Sequence, residues 1–134
     1  MIPGRHAPLA SFMLVTAALI LGALRLWAPG PIAREDGATD IVLVVRGMAF
    51  RDLAAGAANP TLRLRAGSRI RLVVRNEETG VNHNFAIPAW RVDSGSIPGP
   101  GERLVEFSVP ERNGREAYQC TPHAAMMRGE IVAE

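Results

Sequence analysis

Hydrophobic residues follow two different patterns along the chain. Residues 9–24 form a run of sixteen without a charge, and residues 26–28 extend it beyond Arg25. A helix that spans a bilayer needs about 20 apolar residues. The stretch 9–28 is therefore long enough, provided that the Arg25 side chain reaches the membrane interface. From residue 41 onward the apolar runs are short and alternate with polar residues, which is typical of β-strands.

The N-terminal segment, residues 1–28, has two main interpretations. A basic start at Arg5, an apolar middle and the small Ala28 fit a cleaved secretory signal. The run is long for a signal, and Pro29 is a poor residue to follow a cleavage site, so we favour an uncleaved anchor helix. A buried helix of a soluble protein is the least favoured alternative. Both main interpretations export the remainder of the chain, with Arg5 kept in the cytoplasm.

We therefore expect residues 29–134 on the periplasmic side of a bacterial cytoplasmic membrane. They would be anchored there, or free in the periplasm if the segment is cleaved. Residues 29–39 begin with Pro-Gly-Pro and continue polar, so they are predicted to form a linker. Residues 40–134 then remain for one domain.

This domain is predicted to be all-β, with about seven short strands separated by turn signals at the spacing of a β-sandwich. The predicted strands are 41–45, 61–65, 69–75, 85–87, 104–109, 116–120 and 130–133, with a bulge or further short strand at 47–50. In 61–65 and 69–75 apolar residues point to one side and arginines to the other. We favour a solvated arginine face, paired with acids, over a docking surface. Residues 51–60 and 90–101 are predicted as irregular loops.

Composition and charge reduce the range of possible functions. An apolar content of 48% is sufficient for a core. The formal net charge of +2 comes from the N-terminal segment, because thirteen acids balance thirteen arginines from residue 34 onward. No nucleic-acid partner is therefore expected. The single cysteine excludes an internal disulfide and a two-cysteine copper centre.

Residues 120–127 bring together the candidate chemistry: Cys120, His123, Met126 and Met127. Thiolate, thioether and imidazole ligands together favour copper, and two His with one Cys and a weak axial Met form the blue-copper arrangement. The second imidazole is assigned to His83, because the histidine at position 6 precedes the apolar run. A buried thiol, a loop histidine and core methionines are the structural alternatives, and their coincidence in this pattern is disfavoured.

The sequence resembles the cupredoxin family, in particular its small plastocyanin, amicyanin and azurin members. Residues 118–123 (YQCTPH) are similar to the amicyanin and plastocyanin ligand loop, and His83-Asn84 is similar to the His-Asn pair of the first ligand. The resemblance covers roughly residues 40–134. It implies a cupredoxin-like Greek-key β-sandwich, here preceded by one N-terminal hydrophobic helix.

The resemblance also implies site residues. His83, Cys120 and His123 would be the equatorial ligands of one copper ion. Met126 has the amicyanin spacing and Met127 the azurin spacing from the second His. Met127 is favoured as the axial ligand, because the sequence MRG at 127–129 fits the M-x-G pattern of the family. Asn84 would tie the loop of the first His to the loop of the Cys.

The expected function is that of a type 1 (blue) copper electron-transfer protein, not an enzyme. By resemblance, a redox partner such as a cytochrome or an oxidase would dock on the apolar patch of Pro122, Ala124 and Ala125, and the protein would be monomeric. The alternatives are a copper storage, delivery or sensing module, and a metal-free β-sandwich used for binding. A structural zinc site is disfavoured, because it requires four firm ligands.

Overall fold

The computed structural model describes residues 37–53 and 56–134. The predicted N-terminal helix and residues 29–36 of the predicted linker lie outside these residues, and the last linker residue, Thr39, is the first residue of a strand. Eleven strands run through the described part: β1 Thr39–Val45, β2 Phe50–Asp52, β3 Leu62–Leu64, β4 Arg69–Asn76, β5 Asn82–His83, β6 Ala86–Ile87, β7 Val92–Asp93, β8 Ile97–Pro98, β9 Gly101–Ser108, β10 Gly114–Gln119 and β11 Arg128–Ala133. Two 3₁₀ turns, Pro88–Trp90 and Thr121–His123, interrupt them. Among the described residues no helix has the length and apolar character needed to cross a bilayer.

The strands form two main sheets and one small one. The first sheet has the order β2-β1-β4-β9, and the second has the order β3-β11-β10-β6-β7. Strands β5 and β8 pair separately as a two-stranded ribbon. Each main sheet contains one parallel pair, β1 with β4 and β3 with β11, while its other pairs are antiparallel.

The core of the sandwich is built from both sheets. Its members are alternate residues of the strands, which a period of two directs to the same face of each sheet. Its three largest side chains are those of Tyr118, Phe50 and Phe85. Its buried aliphatic members include Leu43, Val45, Leu62, Leu64, Ile70, Leu72, Val74, Val105 and Ile131. The core is mostly aliphatic, as the low aromatic content of 5% leads one to expect.

The alternation predicted for the arginine-rich strands is also confirmed. Leu62, Leu64, Ile70, Leu72 and Val74 are buried, while the arginines and Val73 on the opposite face are exposed or half-buried. Arg71 lies between Asp40 and Glu106, and Arg75 pairs with Glu102. These arginines thus form ion pairs on a solvated face. The turn between β3 and β4, however, joins the two different sheets.

Two predicted loops contain strands. Residues 90–101 are predicted to be irregular, but β7, β8 and the first residue of β9 lie there. Strand β2 likewise enters the predicted loop 51–60. Such short strands escape prediction because a strand of two or three residues cannot display an alternating pattern. They exist because partners distant in the sequence pair with them. Residue Ile97 of β8 pairs with His83 of β5, so an unpredicted strand supports a predicted site residue.

Three aromatic rings form the part of the core nearest the ligand loop. The ring of Tyr118 stacks on Phe85 with centroids 5.3 Å apart, and Phe50 meets both rings edge-on at 5.4 and 5.8 Å. Such pairs contribute about 0.5–1.5 kcal/mol each beyond the area they bury. The Tyr118 hydroxyl donates a hydrogen bond to the carbonyl oxygen of Pro60 at 2.7 Å. Burial raises the pKa of the Tyr118 phenol well above its ordinary value.

Tyr118→Phe should keep the ring packing and lose the hydrogen bond to Pro60. We expect a loss of about 0.5–1.5 kcal/mol in the free energy of unfolding at pH 7. The native phenol holds its proton where the unfolded one has lost it, so the wild type should lose stability as pH rises above about 10. Above that pH the wild type should lose about 1.4 kcal/mol of unfolding free energy per pH unit relative to Tyr118→Phe. Urea denaturation of both proteins at pH 7 and 11 measures this, and parallel pH profiles would contradict it.

Candidate metal centre

Three donors from two separate parts of the chain meet at one end of the sandwich. His83 is the last residue of β5, Cys120 follows β10, and His123 ends the 3₁₀ turn after it. The sulfur of Cys120 lies 3.6 Å from Nδ1 of His83 and 3.5 Å from Nδ1 of His123. All three ligand atoms lie within 4.8 Å of one another. The structure thus brings together the residues that the sequence predicted as equatorial ligands.

These distances fit one shared ion. With ligand distances of about 2.3 Å for sulfur and 2.0–2.1 Å for nitrogen, tetrahedral to trigonal angles separate S and N by about 3.5–3.8 Å. The observed separations of 3.5 and 3.6 Å lie within that range. The donor set of one thiolate and two imidazoles is one that copper prefers. A core thiol would instead face hydrocarbon, whereas this sulfur faces two ring nitrogens.

The two methionines occupy different environments. Met127 is 0% exposed and belongs to the core cluster that includes Cys120, whereas Met126 is 55% exposed. The backbone N–H of Cys120 donates to the carbonyl oxygen of Met127 at 2.9 Å. The carbonyl of Met126 instead accepts a hydrogen bond from the side chain of Asn59. Met127 is therefore the methionine on the buried side of the loop.

The ligand loop, residues 120–127, is closed by its own backbone. Besides the bond between Cys120 and Met127, the N–H groups of His123 and Met127 donate to the carbonyls of Cys120 and His123. Pro122 takes an early position in the 3₁₀ turn, where its missing N–H costs nothing. This compact loop places the sulfur and the His123 ring on the same side.

Asn84 joins the two ligand-bearing segments. Its side-chain oxygen accepts the backbone N–H of Thr121 at 2.7 Å, and its amide nitrogen donates to the Thr121 hydroxyl at 3.1 Å. Its own backbone N–H points at the sulfur of Cys120, 3.4 Å away. The contact expected between the His83 and Cys120 loops is thus present. The same amide nitrogen also reaches Asp93 of β7.

Sequence reasoning missed Glu78. Its Oε2 lies 2.7 Å from Nε2 of His83, and the backbone N–H of Met48 donates to its Oε1 at 2.6 Å. Burial, the largest single influence, raises the pKa of Glu78, but the hydrogen bonds from Met48 and His83 outweigh it and the pKa lies below its usual value. The available signal was an acidic residue a few positions before a candidate ligand histidine, which needs an orienting partner.

The three donors differ in access to solvent. Cys120 and His83 are buried, and His123 is half-buried. Among the neighbours of His123 in the loop, the apolar Pro122, Ala125 and Met126 are exposed and Ala124 is half-buried, next to the exposed polar Thr121. The half-buried imidazole of His123 is therefore the most accessible of the three donors.

Solved structures with a similar arrangement of strands are known. Auracyanin A, a "blue" copper protein from Chloroflexus aurantiacus, has a TM-score of 0.56 at 19% identity, over 73% of this chain and 100% of its own. A reduced Cu(I) form of an amicyanin mutant has a TM-score of 0.50 at 22% identity, over 71% and 82%. A chain from a heme-copper terminal oxidase dimer has a TM-score of 0.56 at 18% identity, over 90% of each chain.

No protein-family model matches the sequence, and no curated protein matches it. The identities to the solved structures are low, so the likeness concerns the fold. The described domain has the cupredoxin fold, and its neighbours in structure are cupredoxins.

Gly129 is a position where the strand after the ligand loop tolerates no side chain. It pairs with Tyr118 across β10 and β11, and a Cβ at Gly129 would overlap the Tyr118 ring. This contact gives the glycine of the M-x-G pattern a physical reason. The aromatic ring needs that space in order to pack beneath the ligand loop.

Gly129→Ala should therefore destabilise the protein by about 1–3 kcal/mol, because the ring or the strand must shift. Gly114→Ala is the matched control, since a Cβ at Gly114 in the same pair of strands meets nothing within 4 Å. We expect that control to change the free energy of unfolding by less than about 0.5 kcal/mol. Equal effects of the two substitutions in thermal or urea denaturation would contradict the packing argument.

Proposed function

We propose that this chain is a type 1 copper electron carrier exported across the cytoplasmic membrane. One ion would be held by His83, Cys120 and His123, with Met127 as the weak axial ligand. The observation that supports this best is the buried sulfur of Cys120 placed 3.5–3.6 Å from two imidazole nitrogens. Bound copper would supply a one-electron change between the cuprous and cupric states.

The chain contributes a site that resists rearrangement. Asn84 ties the two ligand-bearing segments together, and the loop at residues 120–127 is closed by backbone hydrogen bonds. Ligands held in this way keep nearly the same positions in both oxidation states, which favours fast electron exchange. Because two of the donors are buried, slow exchange of the ion is expected, and this favours a carrier over a copper delivery protein.

The docking surface is expected on the exposed side of the centre. A redox partner, such as a cytochrome or an oxidase, would cover the apolar patch of Pro122, Ala124, Ala125 and Met126 and approach the half-buried ring of His123. Weak, small interfaces suit redox encounters. An oxidase partner is supported by the similar chain within a heme-copper terminal oxidase dimer.

The position at the membrane is part of the same proposal. Residues 1–28 would anchor the domain on the periplasmic side, and residues 29–39 would give it reach toward its partner. Fractionation of cells that express the full chain tests this. Release from membranes by detergent, and not by salt, is the outcome expected of an anchored protein.

The central test is reconstitution of the full chain with Cu(II). We expect one bound copper, an intense visible thiolate-to-copper absorption band and a reversible one-electron wave in voltammetry. Cys120→Ser should abolish the band while leaving a folded protein, because the substitution removes the thiolate and little volume. Colourless copper that a chelator removes readily would indicate delivery or storage instead, and an absence of copper binding would indicate a metal-free sandwich.

The axial assignment has its own matched pair of variants. Met127→Leu should raise the reduction potential, because removal of the thioether takes away electron donation that stabilises Cu(II). Met126→Leu should leave the potential unchanged, since its side chain is exposed. Both substitutions conserve volume and should cost less than about 1.5 kcal/mol of stability. A shift in the potential of the Met126 variant alone would reverse the assignment.

A further inference from the structure

We propose that Glu78 is a positioning residue for the buried imidazole. Its carboxylate fixes which nitrogen of His83 is free to bind the metal, and it holds a negative charge beside the centre that favours the oxidised ion. The tautomer part of this inference concerns the metal-free protein and stands on its own. The electrochemical part rests on the proposed function.

Glu78 is held from three directions. Its Oε2 lies 2.7 Å from Nε2 of His83, and its Oε1 accepts the backbone N–H of Met48 at 2.6 Å. Its own backbone N–H donates to the side-chain oxygen of Asn76 at 3.0 Å. The Glu78 side chain is 16% exposed. A carboxylate on a flexible loop would have none of these restraints, so the arrangement is a built contact with His83.

Asn76 supports the loop that carries Glu78. The residue is 0% exposed, and its amide nitrogen donates to the carbonyls of Val81 and Ile97 at 2.8 and 2.9 Å. Both amide hydrogens and the amide oxygen therefore have partners, and these hydrogen bonds connect the loop at residues 77–81 to β8. Gly99 lies so close that a Cβ there would overlap the carbonyl of Glu78. The backbone that carries Glu78 is consequently fixed on both sides.

The Met48 contact requires an unusual backbone. Gly47 and Met48 both have positive φ, 63° and 53°, and a left-handed conformation is disfavoured for methionine. In this turn the backbone N–H of Met48 points at the Glu78 carboxylate and donates to its Oε1. The strained turn thus has a structural role, because it directs the N–H of Met48 at the Glu78 carboxylate, which in turn contacts His83.

The consequence for His83 comes from donor chemistry. An ionised carboxylate can only accept hydrogen bonds, so Nε2 of His83 must carry the hydrogen. In the neutral ring, Nδ1 is then left with its lone pair, and Nδ1 is the atom that faces the sulfur of Cys120. Such outer contacts orient a ligating histidine and raise its basicity. A fixed negative charge near the ion also stabilises the more positive oxidation state.

His123 provides an internal contrast. Within residues 37–53 and 56–134, no carboxylate forms an ion pair with it, and its ring is half-buried. The carboxylate restraint is therefore placed on the buried imidazole.

The test compares Glu78→Gln with Glu77→Gln. A glutamine at position 78 has nearly the same shape, but it can accept at one oxygen only, so either the Met48 or the His83 contact is lost. Glu77 is the neighbouring acid and pairs with Arg46 at the surface, so its variant removes the same charge without the contact. Nitrogen-15 NMR of the metal-free proteins identifies the tautomer of His83. Copper titration measures the affinity for the ion, and voltammetry of the copper-loaded proteins measures the reduction potential.

The wild type and Glu77→Gln should show His83 with hydrogen on Nε2, and Glu78→Gln should lose that preference. Glu78→Gln should also bind Cu(II) about 10–100-fold more weakly, with a smaller loss for Cu(I). Its potential should therefore rise, by about 59 mV for each tenfold difference between the two losses. Glu77→Gln should shift neither property beyond a small surface-charge effect.

Three results would overturn the inference: a metal-free wild type with hydrogen on Nδ1 of His83, an unchanged tautomer in Glu78→Gln, or equal shifts in potential for the two variants. The first needs no variant, so it decides the question even if Glu78→Gln does not fold. A tautomer change in a protein that binds no copper would leave the carboxylate contact established and remove the proposed function.

Discussion

The contact on which the site depends is the one between Asn84 and Thr121. It fixes the segment that carries His83 against the loop that carries Cys120 and His123, through hydrogen bonds in both directions between the two residues. Together with the pairing of Gln119 in β10 opposite Ala86 in β6, it holds donors separated by 37 positions in the chain within 3.6 Å of each other. A ligand loop tied at both ends loses little further entropy when an ion binds, so affinity and geometry are set by the folded protein.

The buried polar residues also cluster around the segment that carries His83. In the described part of the chain they are Asn76, His83, Asn84 and Ser94, and all four lie within residues 76–94. Burial of a polar group is costly unless it is hydrogen-bonded. Here each has a partner: Asn76 holds the loop before His83, and Ser94 accepts the N–H of Phe85 just after it. The rest of the core is apolar and serves as a rigid base for this segment.

The sequence was informative wherever the signal was local. Alternation identified β3 and β4 and their buried faces, and the spacing of Cys120 and His123 with Pro122 between them indicated a ligand loop. The sequence was uninformative where structure arises from distant pairing. Strand β8 has two residues, and only its pairing with His83 makes it a strand. Likewise, the contact of Glu78 with His83 depends on Asn76 and on the left-handed turn at Met48, so an acidic residue close to His83 in the sequence is a weak signal by itself.

The two imidazoles of the centre would each meet one requirement of the proposed electron carrier. One ring must be immobile, because reorganisation of the ligands slows transfer, and the other must lie near the surface, because the coupling to a partner falls with distance. His83 meets the first need: it is buried, and its Nε2 contacts a carboxylate that is itself held by Met48. His123 would meet the second, because it is half-buried among the apolar loop residues that a partner would cover in the proposed function. A storage site would gain nothing from this asymmetry, since release of the ion requires a mobile ligand instead of a restrained one.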